Sequence, residues 1–458
     1  MRRAARALAV LALAITTLVL RPPPAPAMGL KDEQELGARF ALEARRRLPL
    51  LRAPAITAYL RRVGERIVAR LDAQQFDYRF YVVREPTLNA FAVPGGYIYV
   101  HAGLLDQVPG EAELAGVLAH EIVHVHAHHV VRQEDQTALI NYATILGLFL
   151  SAVHPALGAG AASVGAAAQL KYARQYEQEA DHVGIGLMRD AGFDPLGMPR
   201  FLRMVLKAQQ LNPSEVPPYF LSHPLTEDRI TELEHLARAM PHPKPRVGGD
   251  AELAAAQATL RALVESREKV LPAYEERLRR DPQNADAQHQ LGLVFLYGGQ
   301  PERAEPLLAR AAAGGAARAR GDQGRALARL GKLAEARAAF EAHLREYPND
   351  PPIMLELART MIAGGELKPA AALLETALTR EPELDDAEYA LAECRGKSGD
   401  EREQWWHLGR AFELRGDLER AKSAYEKVRD LAAKDTPEWK QAEEAIKALD
   451  GASGVFGG

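Results

Sequence analysis

The residues best placed to do chemistry are His120-Glu121-Ile122-Val123-His124. Imidazoles four positions apart on a helix share a face, with Cβ atoms about 5–6 Å apart. They can converge on one Zn2+ at about 2.0–2.1 Å each. Glu121, one position after His120, can reach a water on that metal and take its proton as general base. A catalytic zinc needs a third protein ligand and an open fourth position. The segment Tyr176-Glu177-Gln178-Glu179-Ala180-Asp181 supplies a candidate, on a helix predicted to run until Gly192. Glu177 and Asp181 share a face, so Glu177 can ligate while Asp181 holds the ring N–H of a ligand histidine. Glu179 points elsewhere and is the weaker candidate. In isolation this pair would read as a solvated helix face; beside an H-E-x-x-H helix it reads as the rest of a zinc site. His126, His128 and His129 extend the motif helix, with His128 on the face of His124. They read as surface or supporting residues, with a second metal site as the competing reading.

Elements must position these groups. Tyr78, Phe80 and Val82 alternate within a strand predicted at Asp77–Arg84, and Gly95-Gly96 leads into a second strand, Tyr97–His101. A helix is predicted from Glu111 to Arg132. An exposed strand within 89–101 could pair with an extended substrate by strand addition, using Asn89, Ala90, Phe91, Gly95 and Gly96; an ordinary core strand is the alternative. Leu139–Val153 is apolar but short of a membrane span. It reads as a buried hairpin, or else as a peripheral membrane contact.

The chain is organised in parts. Its 458 residues exceed one ordinary domain. With 47% hydrophobic and 26% charged residues, wholesale disorder is not expected, and a net charge of −4 argues against a nucleic-acid binder. A single cysteine, Cys394, rules out an internal disulfide. Residues 1–27 read as a secretory signal peptide: Arg2, Arg3 and Arg6, then apolar Ala7–Leu20, then Ala25-Pro26-Ala27. An uncleaved anchor is the alternative. Pro241 to Gly249 is rich in proline and glycine, and a linker is predicted at 241–250. Beyond it Gly299 and Gly331 are 32 apart and Gly331 and Gly365 are 34 apart, with alanines at recurring positions, which is the tetratricopeptide pattern. Residues 385–401 read as a truncated unit, 251–450 as the repeat domain and 451–458 as a flexible tail.

Four strings give the chain a resemblance to a known family: Asn89-Ala90-Phe91-Ala92-Val93-Pro94-Gly95-Gly96, Ala119-His120-Glu121-Ile122-Val123-His124, Glu177-Gln178-Glu179-Ala180-Asp181, and Ser222-His223-Pro224-Leu225 ending at Arg229-Ile230. In order and spacing they resemble the gluzincin metallopeptidases of family 48, in the periplasmic branch that carries C-terminal tetratricopeptide repeats, the β-barrel assembly-enhancing type. The resemblance is specific in the first half and looser in the repeats. It implies an α+β zincin-like metalloprotease domain at 28–240, mainly helical with a small sheet, followed by an all-α repeat solenoid. It implies one Zn2+ per chain on His120, His124 and Glu177, with Glu121 as base. It gives His223 a role as a latch on the metal. A transition-state role and a loop histidine that only packs remain open, since Pro224 sets His223 on a loop before a helix beginning after Thr226. Arg174 and Arg229 are candidates to neutralise the site's carboxylates. The implied function is an exported zinc endopeptidase that removes misfolded or stalled envelope proteins in the periplasm. Its repeats would recruit substrate or the outer-membrane β-barrel assembly machinery. A non-proteolytic chaperone or adaptor and a narrow processing peptidase are the competing functions, and the intact Glu121 speaks against the first, because a scaffold needs no general base.

Overall fold

The computed structural model describes residues 29–134, 174–211, 219, 223–244, 246 and 248–454. The expected signal peptide and the apolar stretch 139–153 lie outside the described residues. Helices α1 (Leu30–Arg47) and α2 (Pro54–Val68) precede the strands β1 (Arg79–Val83), β2 (Ala90–Val93) and β3 (Tyr97–His101). Then come α3 (Ala102–Gln107), α4 (Glu111–His126), α5 (His129–Glu134), α6 (Arg174–Asp190), α7 (Gly197–Leu211) and α8 (Glu227–Ala239). The sheet order is β1-β3-β2, with β1 parallel and β2 antiparallel to β3. The β2–β3 turn requires its glycine pair: Gly95 and Gly96 have φ of 85° and 96°, and a Cβ on Gly96 would fall 2.6 Å from the Asp77 carbonyl oxygen.

Two expectations are corrected here. The segment 89–101 is not an exposed strand: its residues are all buried, and α4 packs against β2. β2 is nonetheless the edge of the sheet. The motif helix also does not run to Arg132. It ends at His126, His128 takes a left-handed conformation with φ of 54°, and α5 begins at His129. His128 therefore does not share a face with His124. Its ring instead bridges Glu33 Oε2 and Gln75 Oε1 at 2.6 Å each, and these two bonds hold the strained backbone in place.

The second half consists of α9 (Gly249–Val264), α10 (Arg267–Arg280), α11 (Ala285–Tyr297), α12 (Pro301–Ala313), α13 (Ala319–Arg329), α14 (Leu333–Glu346), α15 (Pro351–Ala363), α16 (Leu367–Arg380), α17 (Asp385–Lys397), α18 (Glu401–Leu414), α19 (Leu418–Leu431) and α20 (Pro437–Gly454). Consecutive helices pair as hairpins, several turning at a left-handed glycine: 299, 331, 365, 399 and 416. Residues 385–401 are thus no truncated unit. They hold the full helix α17 and its turn, and the clue was Gly399, which follows Gly365 by 34 positions. The final helix also continues past 450, through Gly454, into the segment read as a tail.

The two halves are bound at several points. The joint predicted at 241–250 runs straight into α9, which packs on α2, α3 and α4. Gly110 has no side chain to cap α4, and Asp250 Oδ1 accepts a hydrogen bond from the Glu111 N–H at 2.8 Å instead. Farther along, Glu383 meets Arg45 at 2.8 Å, Arg79 at 3.1 Å and the Tyr81 hydroxyl. Leu42 of α1 packs with Leu418, Tyr425, Ile446 and Leu449. Glu252 joins three arginines: Arg62 of α2 at 2.9 Å, Arg246 at 2.7 Å and Arg318 at 3.1 Å.

Burial opposes ionisation of Glu252, but Arg62, Arg318 and Arg246 outweigh it and hold the carboxyl down at about 2. A depressed carboxyl stabilises the fold above its unfolded value near 4.5, and that contribution disappears as pH falls through about 2. Glu252→Gln should therefore lower stability at neutral pH by about 3 kcal/mol and flatten the acid limb below pH 4.5. Denaturant midpoints measured against pH check this; an acid limb identical to that of the wild type would mean that the cluster contributes no such linkage.

Candidate metal centre

Three elements converge. Helix α4 presents His120 and His124, α6 presents Glu177 and Asp181, and the loop before α8 presents His223. The α4–α6 approach places one i,i+4 pair opposite another, as the spacing of both strings allows. All these side chains and Glu121 are at most 2% exposed.

His120, His124, Glu177 and His223 each turn one donor atom inward, all within 4.8 Å of one another. His120 Nε2 lies 3.0 Å from His124 Nε2, 3.2 Å from His223 Nδ1 and 3.6 Å from Glu177 Oε2. Glu177 Oε1 lies 3.4 Å from His124 Nε2 and 2.9 Å from His223 Nδ1. Bonds of about 2.0–2.1 Å to a tetrahedral zinc imply donor separations of about 3.3 Å. The observed spacings bracket that value, so these residues fit zinc. The borderline-soft imidazoles with one carboxylate are also a donor set suited to zinc.

Charge is balanced from one side. Arg229, on α8, sends Nε to Asp181 Oδ2 at 2.5 Å, Nη2 to Asp181 Oδ1 at 2.8 Å and Nη1 to Glu177 Oε2 at 2.8 Å. Thr226 caps α8 by accepting from the Arg229 N–H at 3.2 Å, which orients the arginine at the helix start. Asp181 Oδ1 is 3.0 Å from His120 Nδ1. Burial alone would raise the Asp181 carboxyl, but Arg229 and the hydrogen bond with His120 bring it below its ordinary value. Burial likewise opposes ionisation of Glu177, and His223, His124 and His120 together carry it well below the usual range. Burial pushes His124 well below its normal value, towards the neutral form that ligates metal. Burial opposes protonation of His223, yet the facing Glu177 and Glu121 outweigh it.

Glu121 stands beside the donor set, with Oε1 3.5 Å from His223 Nε2. Its carboxylate accepts a backbone hydrogen bond from Ala92 on β2, while burial raises its pKa. It is thus a carboxylate of increased basicity, aimed by the sheet edge. Asn89, Ala90 and Phe91 are buried along β2, and Gly95 and Gly96 form its turn. The register turns the backbone of Ala90 and Ala92 away from β3, since His101 N bonds to Asn89 O at 2.9 Å.

The remaining candidates separate. Arg174 is exposed at the start of α6, whereas Arg229 is the neutralising cation. His126 is half-buried, and His128 is engaged with Glu33. His129 is fully buried beside His124, and burial pushes it down to about 4. Sequence reading missed Tyr219, whose ring stacks on His223 with centroids 4.5 Å apart and whose carbonyl accepts from the His223 N–H at 2.9 Å. No periodic or motif signal marked it.

Residues 54–237 match the family model described as peptidase family M48, and 289–351, 327–394 and 405–434 match tetratricopeptide-repeat models. A beta-barrel assembly-enhancing protease of Yersinia pestis is 34% identical over 225 residues, covering 47% of this chain and 46% of that protein. Its namesake from Escherichia coli K12 is 32% identical over 221 residues, covering 46% and 45%. The mitochondrial metalloendopeptidase OMA1 of Schizosaccharomyces pombe is 32% identical over 180 residues, covering 39% and 52%. The chain thus spans about half the length of each of these relatives. The donor set, the base beside it and these matches agree in one assignment: residues 54–237 match peptidase family M48, the donor set fits zinc as its metal, and tetratricopeptide repeats follow the matched stretch.

Proposed function

We propose that the protein is an exported zinc endopeptidase that cleaves misfolded or stalled envelope proteins, outer-membrane β-barrels foremost. The observation that carries the reading is Glu121, a buried base fixed by Ala92 beside four convergent donors. His120, His124 and Glu177 would hold the zinc. Bound there, zinc supplies a Lewis acid that polarises a peptide carbonyl and makes water nucleophilic at neutral pH. Glu121 takes the proton of the attacking water and returns it to the leaving amine. Asp181 keeps His120 in the tautomer that presents Nε2. The outward backbone of Ala90 and the carbonyl of Ala92, whose N–H is held by Glu121, offer an edge for an extended substrate, which reads backbone shape more than sequence and suits an enzyme for unfolded chains.

His223 is proposed as a latch. With its Nδ1 in the donor set, His223 would occupy the position that a catalytic zinc needs open. On this reading residues 28–240 do the chemistry, and the repeats in 251–450 recruit substrate or the assembly machinery that gives the Yersinia and E. coli relatives their name. The basic and apolar run at 1–27 is the proposed export signal to the periplasm. Among the described residues no helix is long and apolar enough to cross a membrane.

Metal analysis of purified protein should find about one zinc per chain in the wild type and in Glu121→Gln, and little in His124→Ala. Glu121→Gln should slow hydrolysis of an unfolded reporter protein by at least about 10²-fold; unimpaired cleavage would remove Glu121 from the reaction. His223→Ala should keep its zinc and cleave faster than wild type. A slower variant with zinc retained would reassign His223 to transition-state stabilisation, and an unchanged rate would leave it as packing.

A further inference from the structure

Each ligand histidine has a second ring nitrogen, and the two are held differently. His120 Nδ1 faces the Asp181 carboxylate, whereas His124 Nδ1 lies 2.9 Å from His129 Nδ1. We infer that His129 positions His124 as a zinc ligand through this imidazole–imidazole hydrogen bond, and that Glu179 fixes the tautomer of His129. The inference rests on the reading of His124 as a metal ligand.

The helix break makes the contact. At about 100° per residue, position 129 of an unbroken helix would sit about 140° around the axis from His124. The left-handed turn at His128 folds the chain back, and Glu33 and Gln75 pin that turn. His129 is then wholly buried, with its ring stacked on Tyr176 at 4.8 Å and 24°. The other face of the contact is built as well, since Arg132 lies over the Tyr176 ring at 4.9 Å.

Proton bookkeeping follows from the donor set. His124 directs Nε2 towards His120 and Glu177, so Nδ1 carries its hydrogen when Nε2 ligates. The nearest His129 atom, Nδ1, must then accept. That places the proton of neutral His129 on Nε2, which lies 3.3 Å from Glu179 Oε2. At that distance the carboxylate faces the Nε2 proton and favours the tautomer that carries it there. Arg132 holds Glu179 at 3.1 Å. Supporting groups of this kind orient a ligand ring and raise its basicity, and their loss costs about 10–100-fold in metal affinity.

The test is zinc affinity of the full chain, measured by competition with a chromogenic chelator. His129→Phe keeps the ring volume and removes the acceptor; it should bind zinc about 10–100-fold more weakly. His129→Asn places an amide oxygen near the position of Nδ1 and should recover most of that loss. Glu179→Gln, at a partly exposed site that leaves the core intact, should weaken binding by a smaller factor. Cobalt-substituted His129→Phe should show a shifted visible spectrum, and His129→Asn should not. Metal-free thermal unfolding identifies any variant that fails to fold. Wild-type affinity in folded His129→Phe would overturn the inference, as would His129→Asn behaving like His129→Phe with both folded. Wild-type affinity in Glu179→Gln would overturn the outer link. Absence of zinc binding by the wild type would instead defeat the metal-ligand reading itself.

Discussion

Arg229 is the charge on which the centre depends. Glu121, Glu177 and Asp181 belong to one site and are almost wholly shielded from water. Buried carboxylates without a counter-charge would protonate or force the site apart. One guanidinium answers two of them, in a fork onto Asp181 with its third nitrogen on Glu177. A lysine could not span both, because its ammonium is a point charge without the planar fork. The third carboxylate, Glu121, lacks that neutralisation and stays the most basic, which is the property a proton acceptor needs. Arg229 thereby lowers Asp181, the facing histidines lower Glu177, and Glu121 is set apart from both.

The repeats are part of the same mechanical unit. Asp250 caps the helix that carries both motif histidines, so the first residues beyond the joint stabilise the N-terminus of α4 directly. At the far end Glu383 gathers Arg45, Arg79 and Tyr81, and β1 thereby meets the array. Between them Glu252 ties α2 to Arg318. These contacts are charge-rich and largely buried, and breaking one partner of such a pair costs more than the intact pair gains. A partner that pulled on the repeats would therefore strain the peptidase domain rather than swing a tethered arm.

How much of this was legible in the sequence differed by the range of the interaction. The strands, the solenoid and the positions of His120, His124, Glu177 and Asp181 follow from spacing along one element, and spacing is what a sequence records. Gly95-Gly96 was legible as a turn for the same reason. The break at His128 was not, because its cause lies in Glu33 and Gln75, each more than fifty positions away. The burial of β2 was missed because alternation cannot reveal which helix packs against a strand. The unit at 385–401 read as truncated, although Gly399 stands 34 positions after Gly365, the same spacing that separates Gly331 from Gly365. Arg229 was noticed but could not be placed, since its partners come from α6.

The loop at 223–226 couples the proposed latch to the counter-charge. His223 enters the donor set from this loop, and the Pro224 carbonyl accepts from Arg229 Nη1 at 2.8 Å. Thr226 then fixes the backbone of Arg229 itself. If the whole loop lifted away, Arg229 would lose two of its anchors and the carboxylates would lose their cation. Withdrawing His223 from the donor set without dismantling the centre therefore requires motion confined to His223, with Pro224 as the fixed end. The stiff backbone of proline suits that boundary. The stacking of Tyr219 on His223, and the hydrogen bond from the His223 N–H to the Tyr219 carbonyl, are the interactions such a motion would have to break. A substrate segment that replaces this stack with its own contacts would release the histidine and leave the charge balance intact.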